Sequence, residues 1–318
     1  MLLRSLFFKS EYSEAESYYQ ALRCFRRDPD QDFAAVKRHL GLDVATIYAQ
    51  LYFQNQKNHQ RFRREIELHS GEYNQLNSQI DVLVVAPSQK MLPSHLIKQL
   101  SKQASSLATS AGFMYVTQAQ LHSNNVLEGA RRLQRILRDK SKQGRQVILV
   151  SFSFGSAVVR VLLDHLSTSE TKMIKGWLNA SGLIFGTPRF HCSDKKSFYN
   201  SVNIDMRSFS CEQTYFQKPL DTKGIKTVHM LAVKLPKDMM LIEQRNCSFL
   251  KAWGPNDGLV PFRDYQNLQA PVIPVMGQNH LIDFASVASL YVRSLSSMVS
   301  TLPQQKRFLP EPKIKFVN

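Results

Sequence analysis

A chain of 318 residues, 43% hydrophobic and 10% aromatic, is long enough to bury one large α/β domain with additions, or two small domains. Lysine and arginine outnumber aspartate and glutamate by 41 to 25, a formal charge of +16 that favours anionic partners such as phospholipid surfaces or acidic substrates. The basic residues are spread over 23–27, 61–64, 131–145 and 306–315, with no zinc-finger spacing or RNA-binding signature, which sets nucleic acid aside.

The opening MLLRSLFFKSEYSE has its apolar run broken by Arg4 and ended by Lys9, so it lacks the continuous core and small-residue cleavage site of a signal peptide. Residues 1–75 are expected to be a helical segment packing on the core formed by the rest of the chain. Asp30 or Asp32 can cap a helix through Phe33, Val36 and Leu40 that stops at Gly41. A second helix carries Val44, Ile47, Tyr48 and Leu51 on one face and continues into the polar, basic stretch 54–64.

From residue 76 to the end the pattern alternates between strand and helix. Residues 81–86 (DVLVVA) predict a buried parallel strand, and Leu96, Ile97 and Leu100 open a helix closing near Gly112. Residues 113–117 (FMYVT) predict the next strand. Asn124 or Asn125 then caps a helix with Val126, Leu127, Ala130, Leu133, Ile136 and Leu137 inward, ended by Gly144. Val147–Val150 is a third strand, and from Phe154 the spacing turns helical with Val158, Val161, Leu162 and Leu166. Residues 176–181, 227–233 and 271–276 supply three more strands, and Leu281, Phe284, Val287, Ala288, Tyr291 and Leu295 a closing helix. Strands alternating with helices predict a mostly parallel sheet flanked by helices.

Two segments interrupt the alternation, 189–226 and 234–253. The first is dense in aromatics (Phe190, Phe198, Tyr199, Phe209, Tyr215, Phe216), which either line an apolar pocket as a lid or form a mini-core of their own. Four scattered cysteines (Cys24, Cys192, Cys211, Cys247) make neither a disulfide scaffold nor a metal cluster; free thiols in a reducing compartment are expected, with a Cys192–Cys211 pair as the alternative. No run of about 18 apolar residues predicts a membrane span. The expectation is a cytoplasmic protein, with peripheral contact to anionic membrane left open.

Between the third strand and its helix lie Ser151-Phe-Ser153-Phe-Gly155. A strand that becomes a helix within one or two residues strains the turn residue and forces its side chain outward, which puts Ser153 Oγ at the top of the sheet beside a helix N-terminus. The pattern is S-x-S-x-G, with Ser151 where a glycine is usual. A serine hydroxyl is a poor nucleophile unless a base takes its proton and a carboxylate orients that base. Downstream, GPNDGLVP places Asp257 in a Pro/Gly-punctuated turn, and GQNH places His280 directly after the last strand. The C-terminal ends of parallel strands share one rim, so the three side chains converge there.

In SFSFG (151–155), NASGLIFGTP (179–188), NDGLVP (256–261) and NH (279–280), the chain resembles the α/β-hydrolase family, particularly its lipases and esterases. The resemblance implies Ser153 as nucleophile, His280 as general base and then acid, and Asp257 as its orienting carboxylate. It implies an oxyanion hole made by the backbone N–H of Phe154 and one from the loop after the first strand. Pro87 has no N–H, so Ser88 or Gln89 is the second donor; the loop carries no HG or HGGG signature. No metal or organic cofactor is implied. The expected substrate is a small-molecule or lipid-like carboxylic ester, with thioester, amide and acyl-transfer chemistry sharing the machinery. The reading from another class is a hydrolase-like fold without catalysis that serves as a basic membrane- or partner-binding module. Asp264 and Asp283 are rival acids, Asp283 read as lying inside the closing helix. His165, His229 and His191 are read as structural, the last with a substrate role left open.

Overall fold

The aliphatic runs become strands joined in one parallel sheet, whose four central strands are buried on both faces. The computed structural model describes residues 2–68, 79–87, 94–119, 121, 123, 125–190 and 205–299. In chain order these give α1 (Leu2–Arg27), α2 (Phe33–Leu40), α3 (Leu42–Asn55), α4 (Lys57–Leu68), β1 (Ile80–Val85), α5 (Ser94–Ser110), β2 (Tyr115–Ala119) and α6 (Val126–Lys142). There follow β3 (Gln146–Phe152), α7 (Phe154–His165), the one-turn α8 (Thr168–Thr171), β4 (Ile174–Ala180), the one-turn α9 (Thr214–Gln217), β5 (Lys226–Val233), α10 (Leu241–Phe249), β6 (Val272–Met276) and α11 (Ala288–Val299). The strand order is β2-β1-β3-β4-β5-β6, and every pairing is parallel.

The order reverses once: after β2 the chain returns past β1 to lay down β3 and then proceeds outward in one direction. At such a switch point the loops leaving neighbouring strands diverge and open a crevice at their C-terminal ends. Ser153 stands there, immediately after β3.

Alternate residues of each strand feed two cores. Leu83, Val85, Val147, Leu149, Trp177 and Leu231 face α6, α7 and α1–α3, while Val82, Val84, Ile148, Val150, Leu178 and Met230 face α5, α11 and α4. Asp81, fully buried at the start of β1, is held by Lys140 Nζ at 2.6 Å and by the Arg145 guanidinium. Arg145 in turn stacks on the Tyr115 ring at 3.7 Å. The end of α6 is thereby fastened to the base of the sheet.

The N-terminal helices pack against the far end of the sheet, at β6. Asp32 accepts the Ala34 N–H as the N-cap of α2, and Gly41 (φ 87°) ends it. The chain then breaks at Gln56 rather than running on from α3, and α4 lies along the outer strand. The buried His59 ring contacts Val272 O through Nδ1 (3.0 Å), and Asn58 Nδ2 donates to Gln269 O (2.5 Å).

Further sequence expectations shift. β2 begins at Tyr115, not at residue 113: Phe113 is buried in the core beside the strand, while Met114 is 71% exposed. An edge strand has a partner on one side only, so apolar content at its start reflects packing below the sheet rather than strand pairing. Leu127 of α6 faces solvent instead of the core. The closing helix begins at Ala288; residues 284–287 form turns, with Ser286 N–H donating to Asp283 O and Val287 N–H to Phe284 O.

Close approach of the elbow to β1 depends on Gly155. A Cβ there would lie 2.1 Å from Val85 O and 2.9 Å from its carbonyl carbon, both backbone atoms. Gly155→Ala is therefore expected to cost about 3 kcal/mol, the upper end for overpacking because no rotamer can yield. Gly144→Ala, with nothing within 4 Å but a φ of 68°, should cost only about 1–2 kcal/mol through backbone strain. Urea unfolding of both variants measures the difference, and equal losses would mean that the elbow can retreat from β1.

Candidate active site

Ser153 adopts φ 51° and ψ −129°, a region L-residues avoid at a cost of about 1–3 kcal/mol. It is the N-cap residue of α7, so its side chain stands where the first-turn N–H groups lack intrahelical acceptors. Leu183 N–H donates to Ser153 O (3.2 Å), and so does Ser156 N–H (3.1 Å), which holds the turn from two sides.

Ser151, in the place of the usual glycine, is fully buried and hydrogen-bonded. Trp177 Nε1–H donates to its Oγ (2.8 Å), which also lies 2.8 Å from Ser156 Oγ. The serine thus links β4, β3 and the first turn of α7. Small size satisfies the packing, and the hydroxyl gives the buried indole N–H an acceptor.

His280 Nε2 lies 2.9 Å from Ser153 Oγ, and His280 Nδ1 lies 2.8 Å from Asp257 Oδ2. With a carboxylate accepting at Nδ1, the neutral ring carries its proton there and leaves Nε2 as the acceptor for the Ser153 hydroxyl. The other carboxylate oxygen, Asp257 Oδ1, accepts the N–H groups of Leu259 (3.0 Å) and Val260 (2.8 Å), so the acid is oriented by its own turn. All three side chains are buried, Ser153 completely.

The turn bearing Asp257 is itself braced. Asn256 Oδ1 accepts Gly258 N–H (2.9 Å), and its Nδ2 donates to Gly254 O (3.0 Å) and Cys247 O (3.3 Å). Thr187 Oγ1–H reaches across to Leu259 O (2.6 Å). Tyr265 O–H donates to Gly182 O (2.7 Å), steadying the loop whose Leu183 holds the elbow.

No family model and no curated protein sequence matches this chain. Solved structures do. The metagenomic carboxyl esterase MGS0156 superposes with a TM-score of 0.51 at 13% identity, over 70% of this chain and 76% of its own. This chain has the α/β-hydrolase fold. The mature form of the lipase BlEst2 from Bacillus licheniformis aligns at a TM-score of 0.49 and 14% identity, over 68% of this chain and 93% of its own.

In this α/β-hydrolase fold the backbone N–H of Phe154, first residue of α7, is placed beside Ser153. Ser88 and Gln89 lie outside the described residues, as do His191, Cys192, Phe198 and Tyr199. Cys24, Cys211 and Cys247 are free thiols. The described aromatics of the 189–226 insertion join the main core rather than a separate one. Phe154 of the elbow stacks on Phe190 (6.0 Å) and meets Phe209 edge-on (5.0 Å), and Phe216 is buried in the same cluster.

The rivals fall elsewhere. Burial pushes the Asp264 carboxyl up to about 7, against the opposing pull of Arg263, whose Nε lies 3.8 Å away. Asp283 is exposed in the turns before α11 rather than inside it, its Oδ1 accepting Ala285 N–H. His165 is exposed at the end of α7. His229 is buried in β5 against Trp177, its Nδ1 accepting from Asn179 Nδ2 (2.9 Å), and burial lowers its pKa to about 3, which keeps it neutral. Among the described residues no three His, Cys, Asp or Glu side chains group as metal ligands, and no helix is long and apolar enough to cross a membrane.

Sequence reasoning assigned no role to Trp177, Thr187, Tyr265 or Asn279. Thr187 and Asn279 lay in plain view inside the GTP and NH motifs, but partners far apart in the chain carry no local signal. Asn279 Nδ2 donates to Glu243 Oε1 (2.7 Å) across 36 residues.

Proposed function

We propose that this protein hydrolyses a carboxylic ester through an acyl-enzyme. The observation that carries the reading is the hydrogen-bonded series Ser153 Oγ–His280–Asp257 at a strained strand-to-helix turn. Ser153 Oγ attacks the ester carbonyl as its proton passes to His280 Nε2, and Asp257 stabilises the imidazolium so formed. The negative charge on the tetrahedral oxygen is met by the Phe154 N–H and the positive end of α7. Collapse expels the alcohol, which takes the proton from His280. Water then repeats the sequence: His280 accepts its proton, the acyl–Oγ bond breaks, and the proton returns to Ser153 as the carboxylic acid leaves. The residues supply every proton transfer themselves.

The second reading is a non-catalytic, hydrolase-like binding module, and the complete burial of Ser153 is the observation that favours it. A fluorophosphonate probe separates the two, because covalent labelling needs an activated hydroxyl that small molecules can reach. One adduct per chain is expected, mapping to the peptide that holds Ser153. A folded protein that takes up no probe supports the binding module instead.

A further inference from the structure

Exposed apolar side chains concentrate beside the proposed catalytic rim. Ten large hydrophobic residues are exposed among those described: three of them, Met240, Leu241 and Phe249, are the N-cap and two helical residues of α10, and a fourth, Met276, ends β6 three residues before Asn279, which donates to Glu243 of that helix. Leu241 is the most exposed of all at 84%, with Met240 at 63% and Phe249 at 51%. Positions 241, 245, 248 and 249 share one face of a helix, and all four are exposed, so Leu241 and Phe249 flank Arg245 on the outer face of α10. Scattered single apolar residues need no explanation; a cluster on one short helix does.

The inner face of the same helix rests on the site. Cys247 O accepts from Asn256, the neighbour of Asp257, and Glu243 Oε1 accepts from Asn279, the neighbour of His280. Glu243 Oε2 also takes the Met240 N–H (2.9 Å) and Lys234 Nζ (3.2 Å), which fixes the start of α10. The helix follows the C-terminal end of β5, so it stands at the end of the sheet that holds Ser153. Its apolar face is therefore held in a fixed relation to the rim.

Charge selects the partner. Residues 234–251 carry Lys237, Arg245 and Lys251 against Asp238, while Lys234 and Glu243 neutralise each other in an ion pair (3.2 Å) that also engages Asn279. Lys37 of α2 adds to this side, its Nζ donating to Lys251 O (2.9 Å). Methionine, leucine and phenylalanine side chains interspersed with arginine and lysine match an interface that is apolar below and negative at its surface.

We propose that α10, with Met240 and Met276 beside it, docks this protein on the surface of an anionic lipid bilayer and turns the Ser153 rim toward the lipid. The proposal deepens the ester-hydrolase reading by naming where the substrate resides, but the docking can be measured without catalysis. The test uses the full chain carrying Ser153→Ala, sedimented with vesicles of phosphatidylcholine alone or mixed with phosphatidylglycerol. Binding to the mixed vesicles, weak binding to phosphatidylcholine alone and a fall with added salt are expected. Leu241→Glu with Phe249→Glu should weaken binding about tenfold or more. Leu127→Glu, on the exposed basic face of α6, should leave it unchanged.

Thermal unfolding checks that the variants are folded, and Arg245→Glu gives a second variant if the double one is not. Absence of binding to mixed vesicles overturns the proposal and leaves a protein partner as the reading for this face. Binding that ignores the α10 variants, or that Leu127→Glu weakens equally, also overturns it. A failure of fluorophosphonate labelling would leave these measurements untouched, so the two readings can fall separately.

Discussion

Ser153→Ala is expected to remove turnover of a soluble p-nitrophenyl ester almost completely, on the order of 10⁶-fold for loss of a nucleophile in such a series. The residual rate comes from the oxyanion donors and substrate binding alone. The strained turn provides a second, independent readout. Alanine needs the same φ of 51° as serine, so Ser153→Ala keeps the backbone strain, whereas Ser153→Gly relieves it. Both variants should be inactive, but Ser153→Gly should unfold at higher denaturant, by about 1 kcal/mol over Ser153→Ala. Retained turnover in either variant would remove Ser153 from the mechanism. Equal stability would show that the turn is not strained.

Asp257→Asn is expected to lower turnover by up to about 10⁴-fold, for a reason specific to this turn. Asp257 Oδ1 is fixed by two N–H donors, those of Leu259 and Val260. An asparagine must keep its carbonyl oxygen there, because an amide NH₂ would face two donors. Its NH₂ group then points at His280 Nδ1, which can only accept. The ring is forced into the tautomer with the proton on Nε2, and that nitrogen can no longer take a proton from Ser153. Asp264→Asn should change turnover little: a carboxyl whose pKa is pushed up to about 7 is a poor permanent anion, and the acid that holds His280 Nδ1 is Asp257. Assays of both folded variants decide the matter, and the reverse ranking would move the acid to Asp264.

What the sequence made legible was whatever repeats at short range. The buried strands, the switch from period two to period 3.6 at Ser153, the caps at Asp32 and Asn125 and the glycine stops at Gly41 and Gly144 all act within a few residues. The side chains of Ser153, Asp257 and His280 could be placed on one rim because parallel strands share it. Ser151 illustrates the limit. In the sequence it stands only as a serine where a glycine is usual, and the position of Trp177, 26 residues away on β4, supplies the reason for a hydroxyl there. The start of β2 and the outward turn of Leu127 were hidden for the same cause, since both depend on which neighbours the third dimension brings.

The seating of α4 along β6 bears on how copies of this chain behave toward one another. A sheet edge offers unpaired N–H and C=O groups as a template for a foreign strand. At the β6 side His59 occupies Val272 O and Asn58 occupies Gln269 O, so that template is plugged by the chain's own helix. The opposite border, β2, has no further strand beside it among the described residues, and it is only five residues long, with the Arg145 guanidinium lying over Tyr115. A short border guarded by a fixed cation is a poor seed for fibre growth. Cutting away the N-terminal helices would uncover the β6 side and convert a guarded molecule into a sticky one.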